Sequence, residues 1–350
     1  MRVGESEVLV EAERWRETGR RVAMATVVES WGSAPRPVGS RLIVDDRGVF
    51  LGSVSGGCVE GDVVTMALDV IEDGRPRLME FGIADEAAWR AGLSCGGRIA
   101  VYVERMDDLG LLQELNRERA ARRIGTLVTP IDGGAARLVS EENSRTDEVT
   151  LAARERLGAG ASGVFAFGGR RYFVNVETPS PRLILVGGVH VAQALAPMAE
   201  LAGFDVPIVD PRTAFAAEKR FPGKHLIAEW PDVAFPLLGL DAYTAVATLT
   251  HDSKIDDVAL RLALVSKCFY VGALGSKKTH SHRVERLIAS GLSPAAIARL
   301  HAPIGLDIGA ATPAEIAVAV LGEVILALRR GAREQSAHTA EPRRALAHST

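Results

Sequence analysis

The second half of the chain alternates short apolar runs with amphipathic stretches. The clearest run is residues 182–186, and a stretch with a helical period follows it. Further apolar runs occupy residues 206–209, 244–250 and 269–271. Uninterrupted runs of this length are typical of strands that are buried on both faces of a parallel sheet. The pattern predicts a C-terminal Rossmann-like parallel-sheet domain over residues 181–331.

The first half mixes helical and strand patterns, so we expect a protein of the α/β class that begins with an N-terminal mixed α/β domain over residues 1–178. Its first elements are predicted as a helix at 5–18, a strand at 21–28, a hairpin of 41–44 with 49–54, and a helix at 59–72. The middle segment, residues 107–178, is less regular. Its predicted elements are a helix at 109–122 and strands at 125–129, 163–167 and 171–176.

The end of the chain carries helix signals followed by a polar tail. Thr312-Pro313-Ala314-Glu315 has the pattern of a capping box with proline at the first helical position, and an apolar stripe follows. We expect this helix to close at Gly331. Residues 332–350 contain few large apolar side chains, which predicts a disordered tail.

Composition and charge exclude several classes of protein. The 41 basic and 44 acidic residues give a formal charge of −3, so the chain lacks the excess of positive charge that is typical of nucleic-acid-binding proteins. No apolar stretch approaches the roughly 20 residues that cross a bilayer, so we expect no membrane association. The 3 cysteines lack CxxC spacing, which favours neither a disulfide framework nor a zinc site. We therefore expect a cytoplasmic protein in a reducing compartment.

Two of the cysteines are framed by glycines. Cys58 follows Ser55-Gly56-Gly57, and Cys95 precedes Gly96-Gly97. Cys58 falls at a predicted strand-to-helix turn, where unpaired backbone N–H groups favour an anion and lower the pKa of a thiol. The alternative is a small residue packed at a tight corner, since free cysteine is often buried. Cys268 lies in an apolar strand, where we expect it to be a core residue.

The first strand of the C-terminal domain leads into a glycine-rich turn. Gly187 and Gly188 open the turn, and Asp210 ends the next strand, near the expected ribose position of a dinucleotide-binding unit. Val189 stands where that motif has its middle glycine, and His190 follows it. A side chain at this position should hinder a diphosphate, so the sequence predicts weak binding of an intact dinucleotide.

Polar clusters follow the later strands as well. Their residues are Arg212 after the second strand, His251, Asp252 and Lys254 after the next long one, and Gly272, Gly275 and Ser276 at the last. Because the carboxyl ends of parallel strands share one edge of a sheet, we expect these clusters to converge on one crevice. His251 and its neighbours could supply an acid or base, or a phosphate contact. A solvated loop with a helix cap explains the same residues.

The motifs taken together resemble those of one known family. In the first half they are the segments 32–39 and 55–60, and in the second half the segments 209–212, 250–257, 270–276 and 304–309. In this order they are similar to the XdhC/CoxI family, the accessory proteins of molybdenum hydroxylases such as xanthine dehydrogenase. The resemblance covers most of the chain outside the middle segment.

This resemblance implies handling of the molybdenum cofactor, a pterin with dithiolene-bound molybdenum and a terminal phosphate. The chain would hold the cofactor during sulfuration and deliver it to an apo molybdenum hydroxylase, with a cysteine desulfurase as a second partner and self-association into a homo-oligomer also open. Cys58 and Cys95 would lie near the molybdenum or its sulfur-transfer path. The cofactor-binding residues would be Ser55, Gly56, Gly57, Cys58, Cys95, Gly96, Gly187, Gly188, Val189, His190, Asp210, Arg212, His251, Asp252, Lys254, Gly272, Gly275 and Ser276.

Two other functions are compatible with the sequence. The C-terminal crevice alone could serve an NAD(P)-dependent oxidoreductase. The chain could also be a docking protein without catalysis, which bridges the hydroxylase and the desulfurase. Molybdopterin bound to the purified protein would favour the cofactor chaperone, and bound nicotinamide would favour the oxidoreductase. The absence of both would favour the docking protein.

Overall fold

The structure is a computed structural model of the 350-residue chain, and it describes residues 5–32, 36–82, 97–140, 147–158 and 162–339. The chain forms two compact units, made of residues 1–179 and residues 180–337. None of the helices in these ranges is both long and apolar enough to cross a membrane.

The first unit contains two antiparallel sheets and four described helices. Its helices are α1 (Glu5–Glu17), α2 (Glu60–Asp73), α3 (Leu109–Ala120) and α4 (Glu148–Gly158). Its strands are β1 (Val22–Trp31), β2 (Arg41–Asp45), β3 (Phe50–Gly52), β4 (Arg77–Phe81), β5 (Arg98–Arg105), β6 (Gly125–Pro130), β7 (Arg137–Ser140), β8 (Gly163–Phe167) and β9 (Arg170–Glu177). The larger sheet has the order β3-β2-β1-β5-β4 and the smaller one β7-β6-β9-β8.

The central strand β1 buries both of its faces. Successive side chains of a strand point to opposite faces, so Ala23, Ala25 and Val27 pack on one side with the apolar stripe of α2. Met24 packs on the other side, in a core to which α1, α3 and the smaller sheet contribute. The larger sheet is therefore covered on both faces.

A buried ion cluster joins the larger sheet to the smaller one. Glu177 at the end of β9 accepts hydrogen bonds from Arg41 of β2, from Arg119 of α3 (3.0 Å) and from Asn175 (2.9 Å). Burial disfavours the charged carboxylate, but Arg41 and Arg119 outweigh burial and lower the pKa of Glu177. The middle segment is thereby anchored to the first strands through a charged pair that water does not reach.

The second unit is a parallel sheet with helices on both faces. Its strands are β10 (Arg182–Val186), β11 (Ile208–Val209), β12 (Leu226–Ile227), β13 (Thr244–Thr248), β14 (Tyr270–Ala273) and β15 (Leu300–His301). Its helices are α5 (His190–Leu201), α6 (Pro231–Leu238), α7 (Ser253–Val265), α8 (Lys277–Ala289), α9 (Pro294–Ile297) and α10 (Pro313–Thr339). The strand order is β12-β11-β10-β13-β14-β15, which is the order of a Rossmann fold.

The apolar run of β10 feeds two separate cores. Leu183 and Leu185 pack toward α5 and α10, whereas Ile184 and Val186 pack toward α6, α7 and α8. This arrangement explains why the run is apolar at every position: both faces of the strand are covered by helices.

The predicted fold class is confirmed, including the hairpin of β2 and β3 and the parallel sheet. Strands β4, β5, β7, β12 and β15 and helices α4, α6 and α9 were not predicted. The expected end of the last helix at Gly331 is wrong, because α10 continues to Thr339. One glycine costs a helix only about 1 kcal/mol relative to alanine, and the residues that follow include strong helix formers. The rest of the predicted tail, residues 340–350, lies outside the described residues.

Glu177→Gln should destabilise the first unit by about 3–5 kcal/mol, because it removes the negative charge to which the buried guanidinium of Arg41 donates. Chemical unfolding followed by hydrogen exchange of β6 and β9 measures this cost. The matched control is Glu80→Gln, which breaks an exposed pair with Arg98 and should cost less than about 1 kcal/mol. Equal costs for the two variants would show that the cluster does not hold the sheets together.

Candidate functional site

The turn between β3 and α2, which we call the Cys58 turn (Ser53–Val59), is built around the side chain of Glu60. One carboxylate oxygen accepts the backbone N–H of Val54 (3.2 Å), Ser55 (2.9 Å) and Gly56 (3.1 Å). The other accepts the N–H of Gly57 at 2.8 Å. The backbone thus converges on one buried carboxylate.

Ser55 completes the turn. Its hydroxyl donates to Glu60 and accepts the N–H of Cys58 (2.9 Å) and of Val59 (3.0 Å). Every amide from Val54 to Val59 is therefore bonded to a side-chain oxygen. Glycine is needed here because residues 56 and 57 have φ values of 84° and 121°, in the region that other residues rarely adopt.

The internal carboxylate corrects one sequence-based expectation. We expected these amides to favour an external anion or the thiolate, whereas they bind Glu60. Burial disfavours the charged form, but hydrogen bonds from the Ser55 and Ser53 hydroxyls and the Ser55 amide lower the pKa of Glu60 to about 2. The sequence carried a signal for this role, an acidic residue at the first position of the helix after the cysteine.

Cys58 itself is half-buried and packs at the margin of the core between α2 and the larger sheet. Cys95 and Gly96 lie outside the described residues, so the pairing of the two thiols stays a prediction. Cys268 is buried in the second unit as expected, and burial raises the pKa of its thiol. No cluster of three or more His, Cys, Asp or Glu side chains suited to a metal ion occurs in the ranges that the structure describes.

In the second unit, the turn after β10 contacts the turns after β11 and β13. Gly187 has a φ of 113°, and a Cβ added to it would lie 2.7 Å from Cγ2 of Thr250. The amide of Gly188 donates to the carboxylate of Asp210 at 2.9 Å. Close backbone approach therefore explains both glycines, and the polar residues after these strands share one edge of the sheet.

Asp210 is fully buried and paired with Arg212. The guanidinium donates to both carboxylate oxygens, at 2.9 and 2.8 Å. Burial disfavours ionisation, but the bonds from Arg212 and Gly188 lower the pKa of Asp210. Arg212 also lies over the ring of Phe215, 3.9 Å from its centroid. Sequence analysis expected the Asp210 carboxylate near a bound ribose. In the structure it accepts hydrogen bonds from Arg212 and from the Gly188 amide of the same chain.

Sequence analysis predicted that the Val189 side chain hinders a diphosphate at this turn, but a different contact lies there. The side chain of Val189 packs against the core of the second unit. The segment after β11 instead approaches Gly188, where an added Cβ would lie 2.4 Å from the carbonyl oxygen of Phe215. His190 is exposed at the first residue of α5. The chain itself covers the glycine turn.

The turn after β13 presents His251, Asp252 and Lys254. His251 is exposed and has a φ of 61°, a conformation that costs energy for a residue with a side chain. Asp252 accepts the amide of Lys254 at 2.9 Å and caps α7, and the Lys254 side chain is exposed. Beneath this turn the buried carboxylate of Asp256 accepts the Thr250 hydroxyl at 2.7 Å.

The turn after β14 separates two glycines that sequence analysis grouped together. Gly272 is buried within β14, and an added Cβ would lie 2.6 Å from the Tyr270 hydroxyl, so close packing explains it. Gly275 lies in the turn itself, and Ser276 caps α8 by accepting the amide of Thr279 at 3.2 Å. Sequence reasoning missed Arg283, whose buried guanidinium donates to the carbonyl of Leu274 at 2.7 Å. No local pattern marks an arginine inside a helix as buried.

Comparisons with known proteins cover both halves of the chain. Residues 183–324 match the XdhC Rossmann domain, and residues 15–82 match the XdhC and CoxI family. The chain is 30% identical over 309 residues to the molybdenum cofactor insertion chaperone PaoD of Escherichia coli (strain K12), which covers 88% of this chain and 83% of that protein.

Two further matches extend along nearly the whole chain. A probable xanthine dehydrogenase subunit from Bacillus subtilis (strain 168) is 29% identical over 327 residues, covering 90% of this chain and 95% of that protein. A crystal structure of a xanthine dehydrogenase from Bacillus halodurans has the same fold, with a TM-score of 0.72, 24% identity, and coverage of 94% of this chain and 96% of that one. The resemblance seen in the motifs is confirmed: the chain belongs to the XdhC and CoxI family.

Proposed function

We propose that this protein binds the molybdenum cofactor, holds it during sulfuration and delivers it to an apo molybdenum hydroxylase. The observation that carries the proposal is the Cys58 turn, in which a carboxylate and a hydroxyl fix the backbone around a half-buried thiol. Family membership and a relative named as a molybdenum cofactor insertion chaperone support it.

The chemistry of the turn suits molybdenum as cargo. Sulfur is a soft ligand that suits a soft, oxidisable centre. A thiol on a preformed turn needs little reorganisation when it meets a ligand, so less binding energy is lost to ordering the loop. Glu60 supplies that order, because its hydrogen bonds fix the residues just before Cys58. In this proposal Cys95 contributes the second thiol.

The crevice of the second unit would hold a nucleotide or the pterin. The residues that would contact an anionic ligand are His190, His251 and Lys254, which are exposed, and Arg212, whose guanidinium also pairs with Asp210. Gly187, Asp210 and Gly275 would shape this crevice. The proposed protein partners are an apo molybdenum hydroxylase and a cysteine desulfurase.

The second candidate function is an NAD(P)-dependent oxidoreductase. The Rossmann strand order and the glycine turn after β10 favour it. Two contacts oppose it: the Phe215 carbonyl lies against Gly188, and the Asp210 carboxylate already binds Arg212 and the Gly188 amide. A dinucleotide would have to displace both, so the first function is the better supported.

Cys58→Ala should lower the molybdenum that co-purifies with the protein by about tenfold, which corresponds to roughly 1.4 kcal/mol of lost contact. The fold should persist, because the backbone amide of residue 58, which donates to the Ser55 hydroxyl, is kept in the variant. Metal analysis and pterin fluorescence measure the effect. Cys268→Ala is the matched control, since it removes a buried thiol of the other unit. Equal molybdenum in both variants and the wild type would refute a role for the Cys58 thiol.

Glu60→Gln should destabilise the first unit by about 3 kcal/mol at pH 7. The NH₂ group of the glutamine would replace the oxygen that accepts the N–H of Gly57, and an NH₂ group cannot accept a hydrogen bond. The pKa of Glu60 falls from 4.5 to about 2 on folding. Its contribution is therefore complete above pH 4.5 and is lost as the pH falls toward 2. Urea unfolding read by hydrogen exchange of α2, at pH 7 and pH 3.5, checks both points.

Glu72→Gln on the same helix is the control for this pH dependence, because Glu72 is exposed. It should change stability by less than about 0.5 kcal/mol at either pH. A Glu60→Gln cost that stays constant between the two pH values would contradict the assignment of an ionised Glu60.

NAD and NADP should bind with dissociation constants above about 1 mM, because the chain covers its own glycine turn at Gly188. Val189→Gly should not tighten binding, since the Val189 side chain packs against the core and the Phe215 carbonyl remains in place. Calorimetry with both dinucleotides is the measurement. Micromolar binding by the wild type would instead support the oxidoreductase.

A further inference from the structure

A cavity of about 220 Å³ lies in the first unit, between the larger sheet and helix α3. Residues of β1, β5, α3 and β6 line it, together with residues 106–108 and 134–136. Most of the lining is apolar, and its large apolar side chains are Met24, Met106, Leu111, Leu112, Leu115 and Leu127. An apolar cavity of about 150 Å³ is enough to admit benzene, so this cavity has room for a larger ring system.

Glu104 places a carboxylate in this lining, and we refer to the space as the Glu104 cavity. Glu104 lies on β5 opposite Met24 of β1, so both side chains point to the face of the larger sheet that α3 covers. The carboxylate accepts no hydrogen bond within the described part of the chain, and neither of its oxygens is sealed from solvent. A molecule in the cavity can therefore reach it.

The other charged groups of the lining already have partners. Arg105 donates from Nε to Asp107 at 2.7 Å. Asp108 caps α3 by accepting the amide of Leu111 at 2.9 Å. Asp107 and Asp108 are exposed, so the cavity opens to solvent beside them. Among the described lining residues, Glu104 is thus the charged group that lacks a partner.

The surroundings of Glu104 disfavour its charged form. Burial raises the pKa of Glu104 to about 7, and the positive charge of Arg41 on β2 opposes this effect only in part. Arg41 donates its hydrogen bonds to Glu177. Tyr102, on the same face of β5, donates its hydroxyl to the Pro130 carbonyl at 3.3 Å. A ligand that donates hydrogen bonds would therefore stabilise the ionised carboxylate.

We propose that the Glu104 cavity binds a flat ring compound that presents two adjacent N–H donors to the Glu104 carboxylate. The two oxygens of a carboxylate accept two parallel hydrogen bonds, so a pair of donors binds it more strongly and more specifically than a single donor does. The apolar walls would cover the faces of the ring and remove them from water. The aminopyrimidine edge of a pterin or of guanine has such a pair of donors, whereas adenine has one donor beside an acceptor.

The ligand is either the pterin of the proposed cargo or a guanine nucleoside. The pterin alternative rests on the proposed function, whereas the Glu104 cavity itself does not. Both ligands present the same pair of donors, so the first experiment uses a simple compound that carries it.

Calorimetric titration of the full chain with benzamidine tests the cavity. Its amidinium presents two adjacent N–H donors on a flat ring and stays protonated at both pH 6 and pH 8, so a pH dependence reports the protein. Because the pKa of Glu104 is about 7, the carboxylate is mostly protonated at pH 6 and mostly ionised at pH 8. The affinity should therefore rise by about tenfold between these pH values. Hydrogen exchange should show protection of residues 104–115 on binding.

Glu104→Gln should weaken benzamidine binding at pH 8 by about tenfold or more and remove the pH dependence, because an amide offers one acceptor and no charge. The variant should fold, since a neutral amide is easier to bury than a carboxylate without a partner. Glu114→Gln is the matched control, because Glu114 is an exposed carboxylate of α3 outside the lining. It should change the affinity by less than about twofold.

Two results would overturn the proposal: absence of saturable benzamidine binding at pH 8, or equal affinity of the Glu104→Gln variant and the wild type. Competition then identifies the ligand. If pterin displaces benzamidine and Glu104→Gln lowers the co-purified molybdopterin, the ligand is the pterin of the cargo. If guanosine competes more strongly than pterin and adenosine does not compete, the ligand is a guanine nucleoside. If neither pterin nor guanosine competes, the cavity does not take this class of ligand and the proposal fails.

The outcomes for the cavity and for the proposed function are separable. A wild type that retains molybdopterin without binding benzamidine refutes the cavity as a ligand site and leaves the proposed function intact. Guanosine binding that depends on Glu104, in a protein that never retains molybdopterin, supports the cavity and refutes the proposed function.

Discussion

Glu60 is the group on which the geometry of the Cys58 turn depends. A turn rich in glycine has little conformational preference of its own, so something must select one conformation from many. Here a single carboxylate and one hydroxyl bind every amide from Val54 to Val59, and the carboxylate remains ionised because those donors more than offset its burial. The position of the thiol is therefore set by charge-assisted hydrogen bonds and not by packing alone.

The second unit uses the same device at a different turn. Asp210 is buried and binds the amide of Gly188 together with its own neighbour Arg212. In both units a carboxylate from the protein takes the place that an external anion could occupy. The turn after β14 is capped differently, because the first turn of α8 has no acidic residue and the Ser276 hydroxyl accepts the amide of Thr279. Turns that look alike in sequence are therefore held by different side chains.

The larger sheet and the Rossmann sheet place these turns for different reasons. In the first unit, β1 is covered on both faces and Glu177 ties the middle segment to β2 through Arg41. In the second unit, helices cover both faces of the sheet. Because its strands are parallel, their carboxyl ends all lie at one edge. In each unit the sheet fixes where these turns lie.

The sequence by itself determined the fold class, the parallel strands and the edge at which their polar residues meet, because apolar periodicity depends on local spacing. It also identified the glycine-framed Cys58 and the family motifs. It did not reveal that Glu60 fills the Cys58 turn, that Phe215 covers Gly188, or that Arg283 lies beneath Gly275. These facts depend on which atoms approach one another after folding, and a charged residue in a helix looks exposed until its neighbours are known. Only the tertiary structure decided which glycine turns have their amides bound by the protein's own carboxylates.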